Sequence, residues 1–195
     1  MGERIAIELG HHSINIILKD KHVNIKIYPT SLRHRALREF EVLRKLREHG
    51  INVPEPMMLM DSNNCVILVR EYIEGIFFRD AIYVLEPDKL KVLLMKLIKQ
   101  LNSIENLGIY IPEFSALSKN VVVVGTEPFI IDVERALFLK RPIVTQLLGL
   151  LIKLSTNKQL YGKLAKIIKI DELREVARAY KKSREIDVVL QIFRD

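Results

Sequence analysis

The sequence predicts an α+β protein: a strand-rich first third, then a mostly helical remainder containing one hairpin. Three observations predict it. Apolar and polar residues alternate through "RIAIELG" and "HVNIKIY", the period of a half-buried strand. Beyond Pro87, apolar residues recur at helical spacing over long segments. The two kinds of segment are segregated along the chain, which excludes the alternating βαβ order of a doubly wound sheet.

Taken in order, "RIAIELG", "INIILKD" and "HVNIKIY" read as three strands. A His-His-Ser turn joins the first two and "KDKH" the second pair. Pro29 ends the third strand. "SLRHRALREFEVLRKLREHG" then places Leu37, Phe40, Val42, Leu43 and Leu46 at a helical period, with Ser31 as candidate cap and Gly50 as candidate stop. "INVPEPMMLMD" reads as a Pro-interrupted extended connection, and "CVILVREYI" as a fourth strand from about Asn64. "PDKLKVLLMKLIKQLNSIENLG" is a long amphipathic helix from Pro87 to a stop at Gly108. The loop "IYIPEFSALSKN" leads into "VVVVG" and "PFIID", two short apolar runs that suit a hairpin. "PIVTQLLGLLIKLS", "NKQLYGKLAKIIKI" and "DELREVARAYKKS" close the chain as three helices.

At 195 residues with 49% hydrophobic and 28% charged side chains, the chain can bury a real core and is not compositionally disordered. No apolar run approaches the roughly 18 residues of a membrane span, and the N-terminus lacks a signal-peptide apolar region. Cys65 stands alone, which excludes an internal disulfide and fits a reducing compartment. A cytoplasmic protein without a membrane partner is expected. The net charge of +7 is uneven: residues 150–195 hold eleven Lys/Arg against six Asp/Glu. That surplus suits a solvated helix face, or weak contact with RNA or another polyanion.

Four polar residues stand out. "PFIIDVERA" ends a buried strand in Asp132; a carboxylate there is costly unless an arginine, a helix N-terminus or a metal ion meets it. Lys26 interrupts the apolar run "NIKIY", and lysine is rarely buried without a partner. Glu39, in the following helix, can pair with it across a strand–helix interface. Both also suit solvent, Lys26 as an outward strand residue and Glu39 as an i,i+4 partner of Arg35. Asn120 and Asp132 flank the hairpin and can converge as oxygen ligands for Mg²⁺, or serve as turn residue and strand-end acceptor.

The order of these residues carries a resemblance. "LREFEVLRKLREHGINVPEP", "VILVREYIEG", and "IPEFSALSKNVVVV" followed by "FIIDVERA" are similar to segments of the small atypical kinases: the archaeal RIO-like predicted Ser/Thr protein kinases, with the kinase subunit of the KEOPS complex as a cousin. The likeness spans about residues 5–155. It implies a minimal bilobal protein-kinase-like fold, with a small β-rich N-lobe and one αC-type helix over residues 1–72 and a mostly helical C-lobe over 73–195. It implies a Ser/Thr protein kinase that uses ATP and Mg²⁺. Lys26 would bind the α/β-phosphates, with Glu39 holding it and Gly10 and Ser13 in the phosphate loop. Glu71, Tyr72 and Ile73 would form the hinge that meets adenine, Asn120 and Asp132 would hold Mg²⁺, and Glu113 would stand at the catalytic-loop acid.

Only 63 residues follow Asp132, too few for a long activation loop and a peptide-docking subdomain, so substrate recognition falls to another surface or a partner protein. Two positions depart from the family pattern. His11 and His12 occupy the phosphate loop where a second glycine is expected, and Ile111-Pro112 replaces the histidine and glycine before Glu113. A pseudokinase acting as a nucleotide- or partner-binding module therefore stands beside the active kinase. A basic nucleic-acid-binding protein with kinase-like architecture is the third reading.

Overall fold

A computed structural model describes residues 4–10, 12–112 and 117–194. His11 and Glu113 lie outside the described residues. The chain begins with β1 (Ile5–Leu9), β2 (Ile14–Leu18) and β3 (Val23–Pro29), followed by α1 (Arg33–Glu48), β4 (Pro56–Asp61) and β5 (Cys65–Glu71). These strands form one antiparallel sheet in the order β1-β2-β3-β5-β4. Lys26 lies opposite Asn15 on β2 and Leu68 on β5.

The sheet has two unlike faces. Asn24, Lys26, Tyr28, Val66, Leu68 and Arg70 are buried on the inner one. There Tyr28, Val66 and Leu68 pack with Ala36 of α1. α1 turns Ala36, Glu39, Val42, Leu43 and Leu46 inward at three- and four-residue spacing. Ser31 does not cap this helix. It sits in a single 3-10 turn after Pro29, and the helix starts at Arg33 with no side-chain cap. Gly50, at φ +71°, ends the segment in the left-handed conformation that glycine accepts most readily.

The "PEPMMLMD" stretch is not merely a connection. Its Met58–Asp61 register pairs with β5 across an irregularity between Pro56 and Met58. Proline at the first residue of an edge strand removes no ladder hydrogen bond, so Pro56 does not prevent pairing.

After Gly75 come β6 (Ile76–Phe77), α2 (Phe78–Val84) and α3 (Pro87–Asn106). α2 buries Phe78, Ala81 and Ile82, but seven residues are too few for the period to announce itself in sequence. α3 buries Leu90, Leu93, Leu94, Leu97, Ile98, Leu101 and Ile104 along one stripe, the centre of the main core. β7 (Ile109–Tyr110) and α4 (Leu117–Asn120) precede the hairpin β8 (Val121–Val124) and β9 (Glu127–Ile130), turned by Gly125 at φ +64°. β10 (Leu137–Phe138) pairs with β7. The helices α5 (Val144–Leu154), α6 (Lys158–Ile167), α7 (Leu173–Ser183) and α8 (Ile186–Leu190) complete the chain.

A buried glutamate ties the helices together. Glu105 of α3 accepts from the Ile143 N–H at 2.9 Å, the Tyr180 hydroxyl at 3.1 Å and Arg184 Nη1 at 2.6 Å. The result is an α+β molecule, a small antiparallel sheet with one helix joined to a helical part, in the manner of a minimal kinase-like fold. Among the described residues no helix is long and apolar enough to cross a membrane.

Gly75 joins the two parts under a tight constraint. A Cβ there would lie 2.5 Å from the Val123 carbonyl oxygen and 2.8 Å from Val122 Cγ1. Gly75→Ala should therefore cost about 1–3 kcal/mol, the usual penalty of overpacking, measured by urea unfolding.

Candidate functional site

The inner face of the sheet and the β8–β9 hairpin enclose a cleft. One cavity, of about 320 Å³, is lined by Gly10, His12, Ser13, Asn15, Lys26, Asp132, Glu134 and Arg135. A second, of about 300 Å³, shares Asn15, Lys26 and Asp132, and reaches Glu71, Tyr72, Ile73 and Asn120. The residues singled out in the sequence thus gather here, Glu113 apart, with Glu39 directly behind Lys26.

Lys26 does not face solvent. Its Nζ donates to Glu39 Oε2 at 2.7 Å, and Glu39 is fully buried. Nothing in the local residue pattern pointed to the other partners. Arg70 Nη1 donates to Glu39 Oε1 at 2.7 Å, and the Tyr28 hydroxyl donates to Glu39 Oε2. Glu134 adds a second carboxylate, 3.6 Å from Lys26 Nζ and 3.3 Å from Arg35 Nη1. Tyr28 and Arg70 hide within ordinary strand alternation, where aromatic and arginine residues are common on either face. Only the register that turns both inward reveals them.

Burial would raise the Glu39 carboxyl, but Lys26 and Arg70 outweigh it and hold the group below its ordinary value. Burial raises Asp132, Lys26 opposes, and Glu39 and Glu134 push it further up. Burial, with Glu39 and Glu134 beside it, likewise drives the Tyr28 hydroxyl far above its usual range. Tyr28 therefore remains a neutral donor.

Charge in the cleft is unevenly satisfied. Glu39 has two cations and Glu134 shares Lys26 and Arg35, whereas Asp132 Oδ1 is shut off from solvent without a hydrogen-bond partner among the described residues. Asn24 Oδ1 and Arg70 Nε, whose residues line the same cavity, are also buried and unpaired. Buried polar atoms are nearly always paired, so three orphans in one cleft mark a place built for a polar ligand. The Asn120 carbonyl accepts from the Ile131 N–H at 3.0 Å, which sets the residues on either side of the hairpin next to each other. Among the described residues no group of three or more His, Cys, Asp or Glu could hold a metal ion. A divalent cation at Asp132 and Asn120 would draw its remaining oxygens from a phosphate and water, the usual manner of Mg²⁺.

The hinge residues also have defined partners. The Glu71 N–H bonds the Glu55 carbonyl and the Tyr72 N–H the His22 carbonyl, each at 2.8 Å. At the other end, the Gly10 N–H bonds the Ser13 carbonyl at 2.9 Å, and a Cβ on Gly10 would come within 3.0 Å of that oxygen. The loop stays tight because position 10 has no side chain.

A lysine from a small sheet, fixed by a glutamate from the single helix that backs it, over a hairpin ending in aspartate, is the arrangement of the protein-kinase-like class. The description RIO domain matches residues 18–149, roughly two-thirds of the chain. The chain belongs to the RIO domain family, an atypical protein-kinase-like family. Among curated proteins no significant match is found.

Two outcomes are expected from these electrostatics. Glu39→Ala leaves Lys26 and Arg70 buried without their carboxylate and should cost about 3–5 kcal/mol, read by chemical denaturation. Asp132 has a raised folded pKa, so its contribution is favourable below the unfolded value and is lost as pH rises through the folded one. Asp132→Asn should therefore raise the melting temperature of the metal-free protein at neutral pH. The gain should shrink as the pH falls toward about 3.9, the ordinary aspartate value, in melts followed by circular dichroism.

Proposed function

We propose that the chain is an ATP-dependent Ser/Thr protein kinase of the RIO class that transfers the γ-phosphoryl group with Mg²⁺. One observation carries the reading. Asn24, Arg70 and Asp132, which line the cleft in which the Lys26–Glu39 pair stands, each bury a polar atom that has no hydrogen-bond partner among the described residues. RIO domains generally bind ATP with Mg²⁺, and the donors here suit both. The lobes would divide near residue 72, with Glu71, Tyr72 and Ile73 as the hinge.

Phosphoryl transfer asks a protein mainly for positioning and charge neutralisation. Lys26, held by Glu39, would meet the α- and β-phosphates, and Gly10 and Ser13 would border them. Ile73 would receive the base edge, since the N–H groups of Glu71 and Tyr72 are already engaged. Asp132 and Asn120 would hold Mg²⁺, which when bound neutralises the phosphate oxygens. Glu113 would accept the proton of the attacking Ser or Thr hydroxyl as the oxygen–phosphorus bond forms and ADP departs. Beyond the hydroxyl that enters the cleft, a protein substrate would be recognised by another surface or through a partner protein. The basic cavity of Arg141, Arg178 and Lys181 beside α7 is the surface that suits a polyanion or RNA.

A second reading, a pseudokinase that binds nucleotide or a partner without transfer, is favoured by two features. His12 lines the cavity together with Gly10, Ser13 and Lys26, where a second glycine would leave more room for phosphate. Ile111 is fully buried in the main core and offers no hydrogen bond to a catalytic loop.

A titration with ATP and MgCl₂ should raise the melting temperature, and Asp132→Asn should lose the Mg²⁺-dependent part. Radiolabel from γ-labelled ATP should reach protein hydroxyls. Glu113→Gln should lower that turnover by about 10²–10⁴ with ATP affinity nearly unchanged, the worth of a general base. A melting shift without label transfer in the parent chain selects the pseudokinase.

A further inference from the structure

A cavity of about 410 Å³ lies where the first turn of α5 meets α7 and β7. It shares no residue with either cavity of the cleft. Arg141, Arg178 and Lys181 line it, and its lining contains no carboxylate. Among the described residues none of these three cations has an ion pair. Glu105, which meets the Ile143 N–H at the start of α5, is taken by Tyr180 and Arg184. Three like charges gathered without an acid make a concave positive field, which draws an anion.

Two further features converge on the same place. α5, eleven residues long, has neither a side-chain cap nor an acidic residue in its first turn. Thr145, which lines the cavity, turns its hydroxyl back to the Pro142 carbonyl at 2.6 Å instead of capping an N–H. The first N–H groups of a helix have no intrahelical acceptor, and its positive end favours an anion. Arg141 is held in advance, its guanidinium over the Tyr110 ring at 5.3 Å from the centroid, so less freedom is lost when it takes a ligand.

We propose that this cavity binds a phosphomonoester, carried as a phosphorylated Ser or Thr side chain of a protein partner. Such a group carries a charge of about −1.5 to −2 at neutral pH and three acceptor oxygens. Two guanidinium forks, an ammonium and a helix end supply the matching donors; a single carboxylate would leave most of them unused. All three cationic residues are exposed, so a phosphate borne on a macromolecule reaches them. Gln146 also lines the cavity, and its Oε1 is buried without a hydrogen-bond partner among the described residues. A free phosphate dianion has no proton to offer such an acceptor, whereas the backbone of a phosphopeptide carries N–H donors.

RNA fits less well. Tyr110 is the one aromatic residue in the lining, and Arg141 already covers its ring, so bases find no open stacking platform. The cations also gather at one cavity, which suits one compact dianion better than a run of phosphodiesters. The site does not rest on the kinase reading, because none of its residues belongs to the cleft.

The test is fluorescence anisotropy on the full chain. The probes are a short labelled peptide pool with a central phosphoserine between degenerate flanks, and its unphosphorylated twin. The phosphorylated pool should bind at least about tenfold more tightly, the worth of one charge-assisted hydrogen bond, and inorganic phosphate should compete with it. Arg178→Glu/Lys181→Glu should bring that ratio to about one, and Arg178→Gln/Lys181→Gln should lower it. Both side chains are exposed, so both variants should melt within a few degrees of the parent and keep any ATP·Mg²⁺ shift. Equal binding of the two pools by the parent, or a preference that survives in both variants, overturns the proposal. Labelled single-stranded RNA that binds the parent more tightly than the phosphorylated pool, and is released by the same substitutions, also overturns it and assigns the cavity to nucleic acid. Loss of the nucleotide shift with the phosphoserine preference intact counts against the kinase reading alone.

Discussion

A single buried carboxylate, Glu39, accepts hydrogen bonds from Lys26 and Tyr28 of β3 and from Arg70 of β5, and the rest of the cleft is placed relative to it. Through these contacts α1 is fastened to the centre of the sheet by charge as well as by packing. Arg70 carries the constraint further, because its Nη1 also donates to the Ile131 carbonyl at 2.6 Å. The residue before Asp132 is thereby fixed from the opposite side of the cleft. A buried cluster of this kind adds little net stability, since desolvation offsets most of the attraction. Its effect is geometric: one arrangement of sheet, helix and hairpin satisfies all the charges, and others leave a cation buried alone.

The same low dielectric that makes the Glu39 cluster specific makes Asp132 costly. Its Oδ1 has no hydrogen-bond partner among the described residues, while Lys26 is already shared by Glu39 and Glu134. The protein tolerates that unfavourable carboxylate because its stability is generated elsewhere. The stripe of α3 and the helices around it form a separate and much larger core, fastened by the Glu105 contacts to Tyr180 and Arg184.

The five-stranded sheet shows how one alternating pattern serves two ends. Because side chains alternate with period two, committing Asn24, Lys26, Tyr28 and Arg70 to the inner face forces Val23, Ile25, Ile27 and Val69 to the outer one. The polar residues are kept from water by α1 and the hairpin, and the aliphatic ones are left half-buried. That inversion is invisible to periodicity, which detects alternation but does not say which face meets solvent.

Much of this was legible in the chain itself. The three opening strands, the helix ending before Gly50, the long helix between Pro87 and Gly108 and the hairpin around Gly125 are encoded in local period and in glycines that accept positive φ. Lys26 and Asp132 could be singled out because each breaks or ends an apolar run, and Glu39 and Asn120 because one follows that strand on the next helix and the other flanks the hairpin. The β4 pairing, the short α2 and the failure of Ser31 to cap were not legible, because each depends on a neighbour that sequence spacing does not specify. Tyr28, Arg70 and Glu134 were missed as site residues for the same reason: their types are ordinary at their positions, and only the β3–β5 register and the fold of the hairpin onto the sheet bring them to Glu39 and Lys26. By itself the sequence determined the elements and the residues that could not be comfortable in them. Tertiary structure alone decided which charges meet, because pairing energies fall off over a few ångströms and Lys26 and Glu134 lie 108 residues apart along the chain.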